Sequence, residues 1–281
     1  MHFPQFWQKV GQGAVSAWGW SDVSEDEARR RARERLERVL AALRNRRTHE
    51  LSRYAYGDRP LREEVLRRFA GPDGAETALV TRNRYGALVL NSANLLFVDI
   101  DLPPQPRSGP VGWLKRLFGG GRSEPAETPP EEKLRERLQA WVAANPGWSW
   151  RWYRTRAGYR LMAVHQPVGV EDPVVERVFD HFEADPLYRR LCRVQQCYRA
   201  RLTPKPWRCG VSLPPGGWPW PDEKARQAFE RWNGDYLRAA AGRATCHWLG
   251  QVGAGEVHPE LRPLVEFHDQ TTRADSDAPL A

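Results

Sequence analysis

The sequence predicts an α+β fold, a central and mainly antiparallel β-sheet with flanking helices. Three observations lead there. The run Leu95-Leu96-Phe97-Val98-Asp99-Ile100-Asp101 is a continuous apolar stretch of strand length, suited to a strand covered on both faces. Trp148 to Arg154 and Tyr159 to Val164 are two further strand-like segments, and Thr155-Arg156-Ala157-Gly158 between them makes a hairpin. Amphipathic helical patterns surround these strands, the clearest through Ala28, Ala32, Leu36, Val39, Leu40 and Leu43.

Taken in order, residues 1–20 carry Phe3, Phe6, Trp7, Trp18 and Trp20 and are expected to form an aromatic arm packed on the body. Ser24 and Glu27 make a capping-box pattern ahead of the first helix. The outer face of that helix, with Arg29, Arg30, Arg33 and Arg35 among glutamates, reads as a solvated face with pairs one turn apart. A polar loop over 50–60 precedes Leu61, Val65, Leu66 and Phe69, which suggest a short helix. Gly71-Pro72-Asp73-Gly74 is a turn and Ala78 to Thr81 a strand; Leu88 to Leu90 is too short to assign. Residues 103–130 hold seven prolines, the Gly119-Gly120-Gly121 run and an apolar island at Trp113, Leu114, Leu117 and Phe118. They read as a flexible insertion within one globular domain spanning 1–281.

An amphipathic helix over 131–144 presents Leu134, Leu138, Trp141 and Val142. Asp172 caps the next helix, with Pro173 at its first position. A short helix after Asp185-Pro186 leads to a strand over Cys197 to Leu202, and Thr203 to Arg208 is a stiff basic loop. A helix around 222–240, a strand near 244–249, a helix near 259–269 and a disordered tail over 270–281 complete the chain.

With 281 residues and 41% hydrophobic content, the chain can bury a sizeable core, which excludes wholesale disorder. No run of eighteen apolar residues occurs, so a membrane-spanning helix is not expected. The N-terminus lacks a basic start followed by an apolar core, and a cytoplasmic protein is expected. Cys192, Cys197, Cys209 and Cys246 contain no CxxC spacing and read as small buried hydrophobes rather than zinc ligands or disulfides. The net charge is +8 and the pI about 9.6, with arginine far outnumbering lysine. Guanidinium groups suit bidentate contacts to phosphate, so a nucleotide, with DNA or RNA beside it, is the indicated partner, although a GC-rich genome produces the same bias. Thirteen tryptophans are available to stack on bases, but most are expected in the core.

Four groups of residues could carry chemistry. Asp99 and Asp101 lie two apart on a strand and so project to one side at its end. Two such acids repel unless a cation neutralises them, and a hard divalent ion, Mg²⁺ or Mn²⁺, suits oxygen ligands. The alternative is a strand that ends in solvated acids. Arg154, Arg156 and Arg160 border the glycine-containing hairpin and could grip phosphates, or simply be exposed on a turn. Arg199, Arg201, Lys205 and Arg208 form a cationic group on the later strand and loop, suited to a triphosphate, or else to a surface salt-bridge network. His258 and the His268-Asp269 doublet are read as a helix end with its cap in preference to a metal site. No Gly-x-Ser-x-Gly elbow, Walker loop or GxGxxG occurs, which sets aside serine hydrolase, P-loop and Rossmann chemistry.

The order of these motifs resembles the archaeo-eukaryotic primase and primase-polymerase superfamily over roughly residues 75–210. Phe97-Val98-Asp99-Ile100-Asp101 matches its hydrophobic-Asp-x-Asp strand, and Asp185, or less well Asp180, its later acid. The resemblance implies an RRM-like core, divalent ions held by Asp99, Asp101 and Asp185, and nucleotidyl transfer onto nucleic acid. Arg160 stands where the family has a phosphate-contacting histidine. A divergent nucleotidyltransferase is thus the leading expectation. Against it stand a non-catalytic nucleic-acid or nucleotide binder of the same fold, a metal-dependent nuclease or phosphoesterase, and a partner-docking protein.

Overall fold

The computed structural model describes residues 1–45, 60–102 and 129–281. The 50–60 loop, all but its last residue, and the 103–130 insertion, all but its last two residues, lie outside the described residues. Within them the fold is α+β and every strand pairing is antiparallel, but the strands form two four-stranded sheets and a separate hairpin in place of one central sheet.

The N-terminal arm is that hairpin, β1 (Phe6–Gln12) and β2 (Val15–Ser21), laid against α1 (Glu25–Arg44). Ser24 Oγ accepts the Glu27 N–H at 3.2 Å, as the capping box requires, whereas the Glu27 carboxylate turns to Ser21 Oγ at 2.5 Å. Hairpin and helix touch closely at Gly19, where a Cβ would lie 2.2 Å from the Ala28 carbonyl oxygen.

The first sheet has the order β3 (Glu64–Ala70), β4 (Glu76–Arg82), β5 (Leu88–Ser92), β9 (Tyr198–Arg201). The short helix expected at 61–69 is instead β3. The Gly71–Gly74 turn folds this segment back on β4, and two register shifts absorb its irregular apolar spacing. Tertiary pairing overrides the local pattern here.

The second sheet runs β10 (Cys246–Val252), β7 (Trp150–Thr155), β8 (Gly158–Ala163), β6 (Phe97–Asp101). The expected hairpin is β7–β8. By hydrogen bonding β6 is an edge strand, not a central one, yet Leu95 to Val98 are fully buried. Its open edge is closed by other elements: Tyr188 Oη donates to the Phe97 carbonyl at 3.1 Å and the Asp185 N–H to the Asp99 carbonyl at 3.4 Å. Both donors belong to the start of α4 (Pro186–Gln195), which Asp185 caps through Tyr188 N–H at 2.8 Å.

Helices α2 (Pro130–Ala144), α3 (Val174–His181), α4 and α6 (Arg262–Thr272) contribute Leu138, Trp141, Val178, Phe179, Cys192 and Leu264 to the core, which the two sheets share. α5 (Glu223–Ala240) builds a smaller cluster from Phe229, Trp232 and Tyr236. All four cysteines are free; Cys192, Cys197 and Cys246 are buried, and Cys209 is half-buried. The disordered tail expected over 270–281 is not observed. Residues 270–272 belong to α6, the Ala244 N–H donates to the Pro279 carbonyl, and Leu280 bridges Ala244. His247 Nε2 lies 2.8 Å from the Ala278 carbonyl oxygen, so the end of the chain is tied to the start of β10. Among the described residues no helix is long and apolar enough to cross a membrane.

Candidate functional site

The site lies at the seam between the two sheets, where the end of β6 approaches β9. Asp99 pairs in register with Arg160 and Asp101 with Gly158, so both acids project from the end of the strand beside the β7–β8 turn. Gly158 is needed for this approach, because a Cβ there would lie 1.9 Å from the Ile100 carbonyl oxygen. The close contact that the hairpin glycine allows is therefore with the β6 backbone, where sequence reasoning anticipated a ligand.

Arg160 is a buried guanidinium with every nitrogen engaged. Nε donates to Asp99 Oδ1 at 2.9 Å and Nη2 to Asp99 Oδ2 at 3.3 Å. Nη1 donates to the Arg201 carbonyl at 2.9 Å and lies 3.3 Å from His268 Nε2. Burial alone would pull this guanidinium down; the Asp99 carboxylate reverses that and holds it above its ordinary value. Arg160 was expected to grip phosphate, but its donors are consumed inside the protein. It is a positioning residue that orients Asp99 and links β8 to β9.

The network continues behind it. His268, fully buried on α6, places Nδ1 2.9 Å from Asp269 Oδ1, and Asp269 also accepts from Tyr153 Oη at 2.8 Å and Arg151 Nη2 at 2.5 Å. Burial and the neighbouring Arg160 push the imidazole down, which keeps it neutral. A neutral ring with its proton on Nδ1 donates to Asp269 and accepts from Arg160, matching both contacts. Sequence reasoning treated His268-Asp269 as a helix end. The doublet in fact supports Arg160 from behind, and no sequence signal connected residues more than a hundred positions apart.

In front of Arg160 the acids gather. Burial raises the Asp101 carboxyl above its ordinary value, and the Asp99 and Asp185 carboxylates raise it further; Lys205 and Arg201 oppose this. Asp99 and Asp185 thus both lie close enough to act on Asp101. Their commitments differ: Asp99 is held by Arg160, Asp185 caps α4, and Asp101 is exposed at the mouth. The donors are all carboxylate oxygens, the chemistry of a hard cation. The described residues nevertheless include no group of three or more His, Cys, Asp or Glu arranged to hold a metal ion. The three carboxyls do not form a closed cage.

Facing the acids is an excess of positive charge. Arg201 is half-buried, its Nε has no hydrogen-bond partner among the described residues, and burial together with Arg160 brings its guanidinium down to about 10. Burial also lowers Lys205 and Arg208, with Arg201 adding to the first and Arg156 to the second, and Asp101 opposing both. Arg208 Nη1 is likewise buried without a partner. Arg156, Arg201, Lys205 and Arg208 therefore repel one another at one place.

Two predicted residues lie elsewhere. Arg154 stacks 4.8 Å over Tyr159 and donates to the Gly158 carbonyl; its register partner is Tyr159, which puts it on the opposite face of the sheet from Arg160. Arg199, two residues before Arg201 on β9, is taken up by an ion pair with Glu63, at 2.9 and 3.0 Å. Comparison with family models, with curated proteins and with solved structures gave no match to this chain.

Proposed function

We propose that the seam binds the phosphates of a nucleotide and acts as a divergent, primase-polymerase-like nucleotidyltransferase. The observation that carries this reading is the exposed Asp101 carboxyl, raised by burial and by the neighbouring Asp99 and Asp185, beside a group of cations in which Arg201 Nε and Arg208 Nη1 are buried with no hydrogen-bond partner among the described residues. A triphosphate satisfies both, because its oxygens take the donors of Arg201, Lys205, Arg208 and Arg156. Mg²⁺ or Mn²⁺, held by Asp101 with Asp99 and Asp185 beside it, would supply charge neutralisation at the transferring phosphoryl group. Asp101 faces the substrate, Asp99 is oriented by Arg160, and Asp185 sets the start of α4 against the end of β6. Residues 75–210 in the order Asp-x-Asp strand, glycine hairpin, acid and basic strand support the same reading.

The test is incorporation of labelled nucleotide on primed and unprimed templates with Mn²⁺. Asp101→Asn is expected to abolish incorporation while the protein stays folded, since Asp101 is exposed. Equal incorporation by Asp101→Asn and the parent chain would refute the mechanism. One observation favours a second reading, nucleotide binding without turnover. Both oxygens of Asp99 are occupied by Arg160, which leaves fewer ligands for an ion. That reading predicts a nucleotide-dependent thermal shift, indifferent to EDTA, with no incorporation.

A further inference from the structure

The loop that carries Lys205 and Arg208 is anchored by residues distant in the chain. Leu202, Pro204 and Pro206 are buried, while Lys205 and Arg208 are half-buried and feel the Asp101 carboxylate. The Leu202 carbonyl accepts from Thr245 Oγ1 at 2.9 Å. Farther on, one 3₁₀ turn, Pro206–Arg208, closes through the Arg208 N–H on the Lys205 carbonyl at 2.9 Å. Pro204 lies between these two anchors and has no N–H with which to tie itself to a neighbour. Its carbonyl is taken instead by Tyr236 Oη on α5, at 2.6 Å.

Tyr236 is 1% exposed, and its Oη also lies 2.8 Å from Thr203 Oγ1, which accepts the Leu88 N–H at 2.9 Å. The two ends of this chain of hydrogen bonds determine its direction. An amide N–H can only donate, a carbonyl can only accept, and each hydroxyl has one proton to give. Leu88 therefore donates to Thr203, Thr203 to Tyr236, and Tyr236 to Pro204. Burial pushes the phenol up to about 12, so it keeps its proton at neutral pH. The ring is itself held in place. Trp232 stacks on it at 5.3 Å and 12°, and Trp232 Nε1 donates to the Ser212 carbonyl at 3.0 Å. Helix α5 thus grips the chain on both sides of Lys205 and Arg208, at Pro204 and at Ser212.

We propose that Tyr236 is a positioning residue for the seam: through the Pro204 carbonyl it holds Lys205 and Arg208 ready for phosphate, and it touches no substrate itself. This role rests on the reading of the seam as a phosphate site. The physical gain is preorganisation. Long cationic side chains on an ordered loop lose less freedom on binding than the same side chains on a loose one. The chain of hydroxyls makes the gain depend on two oxygens, Tyr236 Oη and Thr203 Oγ1, which lie 33 positions apart.

The test is calorimetric titration of the full chain with inorganic tripolyphosphate and Mn²⁺, at a temperature well below the melting transition of every variant. Tyr236→Phe is expected to weaken binding about fivefold, the equivalent of one neutral hydrogen bond. Thr203→Val, which removes the hydroxyl, is expected to do the same, and Thr203→Ser, which keeps it, to bind as the parent chain does. The loss on Tyr236→Phe is expected to shrink to about twofold when Lys205→Ala or Arg208→Ala is already present, because a displaced cation that is missing cannot be lost again. Parent-like binding by Tyr236→Phe would overturn the proposal. So would a loss that stays undiminished in both of those backgrounds, since Tyr236 would then act on the fold at large and not through the loop. Hydrogen exchange separates this role from the phosphate reading. The amides of Trp207 to Cys209 are expected to exchange about fivefold faster in Tyr236→Phe without any ligand. If tripolyphosphate does not bind the parent chain, the phosphate reading falls, and exchange alone then decides: unchanged protection removes Tyr236 too, while faster exchange leaves it as the residue that orders the loop.

Discussion

Asp99 and Asp101 share a strand face but do different work. Asp99 is one-third exposed and bonded through both oxygens to a guanidinium only 3% exposed. Removing it strands a buried cation, so Asp99→Ala is expected to cost about 3 kcal/mol in urea unfolding, the usual penalty for breaking a buried pair from one side. Asp99→Asn keeps an acceptor for Arg160 Nε and is expected to lose less. A fall in activity of Asp99→Ala therefore mixes stability with chemistry, while Asp101→Asn isolates the chemistry. His268 belongs to the same lesson. Its neutral ring fills the gap between a cation and Asp269, a role that its place beside an acid in the sequence does not disclose.

At the level of elements, the end of β6 is positioned by what closes around it. Gly158 lets β8 lie directly against Ile100 and Asp101, and the start of α4 takes up the carbonyls of Phe97 and Asp99. Gly158→Ala is expected to destabilise the chain by about 3 kcal/mol, the upper range for an overpacked site, because the Cβ meets backbone that cannot rotate away. It should also displace Asp101, so nucleotide-dependent thermal shifts should fall more than the loss of stability alone explains. A melting temperature equal to that of the parent chain would show that β6 and β8 can separate at this point. The Arg154–Arg160 hairpin was legible from strand alternation and a turn, yet alternation also puts Arg154 and Arg160 on opposite faces, and only Arg160 reaches the seam.

For the whole molecule, the two sheets and the packed C-terminus bury titratable groups that pH can reach. His165 lies with its ring 4.2 Å from that of Trp148, both ring nitrogens lack partners among the described residues, and burial with the nearby His258 lowers its imidazole to about 4 from an ordinary 6.5. A depressed histidine binds its proton more readily when unfolded, so stability is fully present above pH 6.5 and declines as pH falls towards 4. His268 is shifted in the same direction and adds to the loss. His165→Phe is expected to shallow the decline between pH 6.5 and 4 in thermal melts; an unchanged slope would remove His165 from the account.

The α+β class, most elements and the Asp-x-Asp strand end were readable in the sequence, because apolar periodicity and turn residues act over a few neighbouring positions. The same holds for the cationic character of the Arg201–Arg208 segment, which adjacent residues define. What the sequence could not contain is which strands meet: β6 against β9, β3 in place of a helix, and a tail drawn onto β10. Those contacts join residues well separated along the chain, and they alone decided that Arg160 serves Asp99, that Arg199 serves Glu63, and that His268 stands behind the site. Partner choice for a buried charge is set by the lowest-cost neutralising group within reach, and reach is a property of the folded chain.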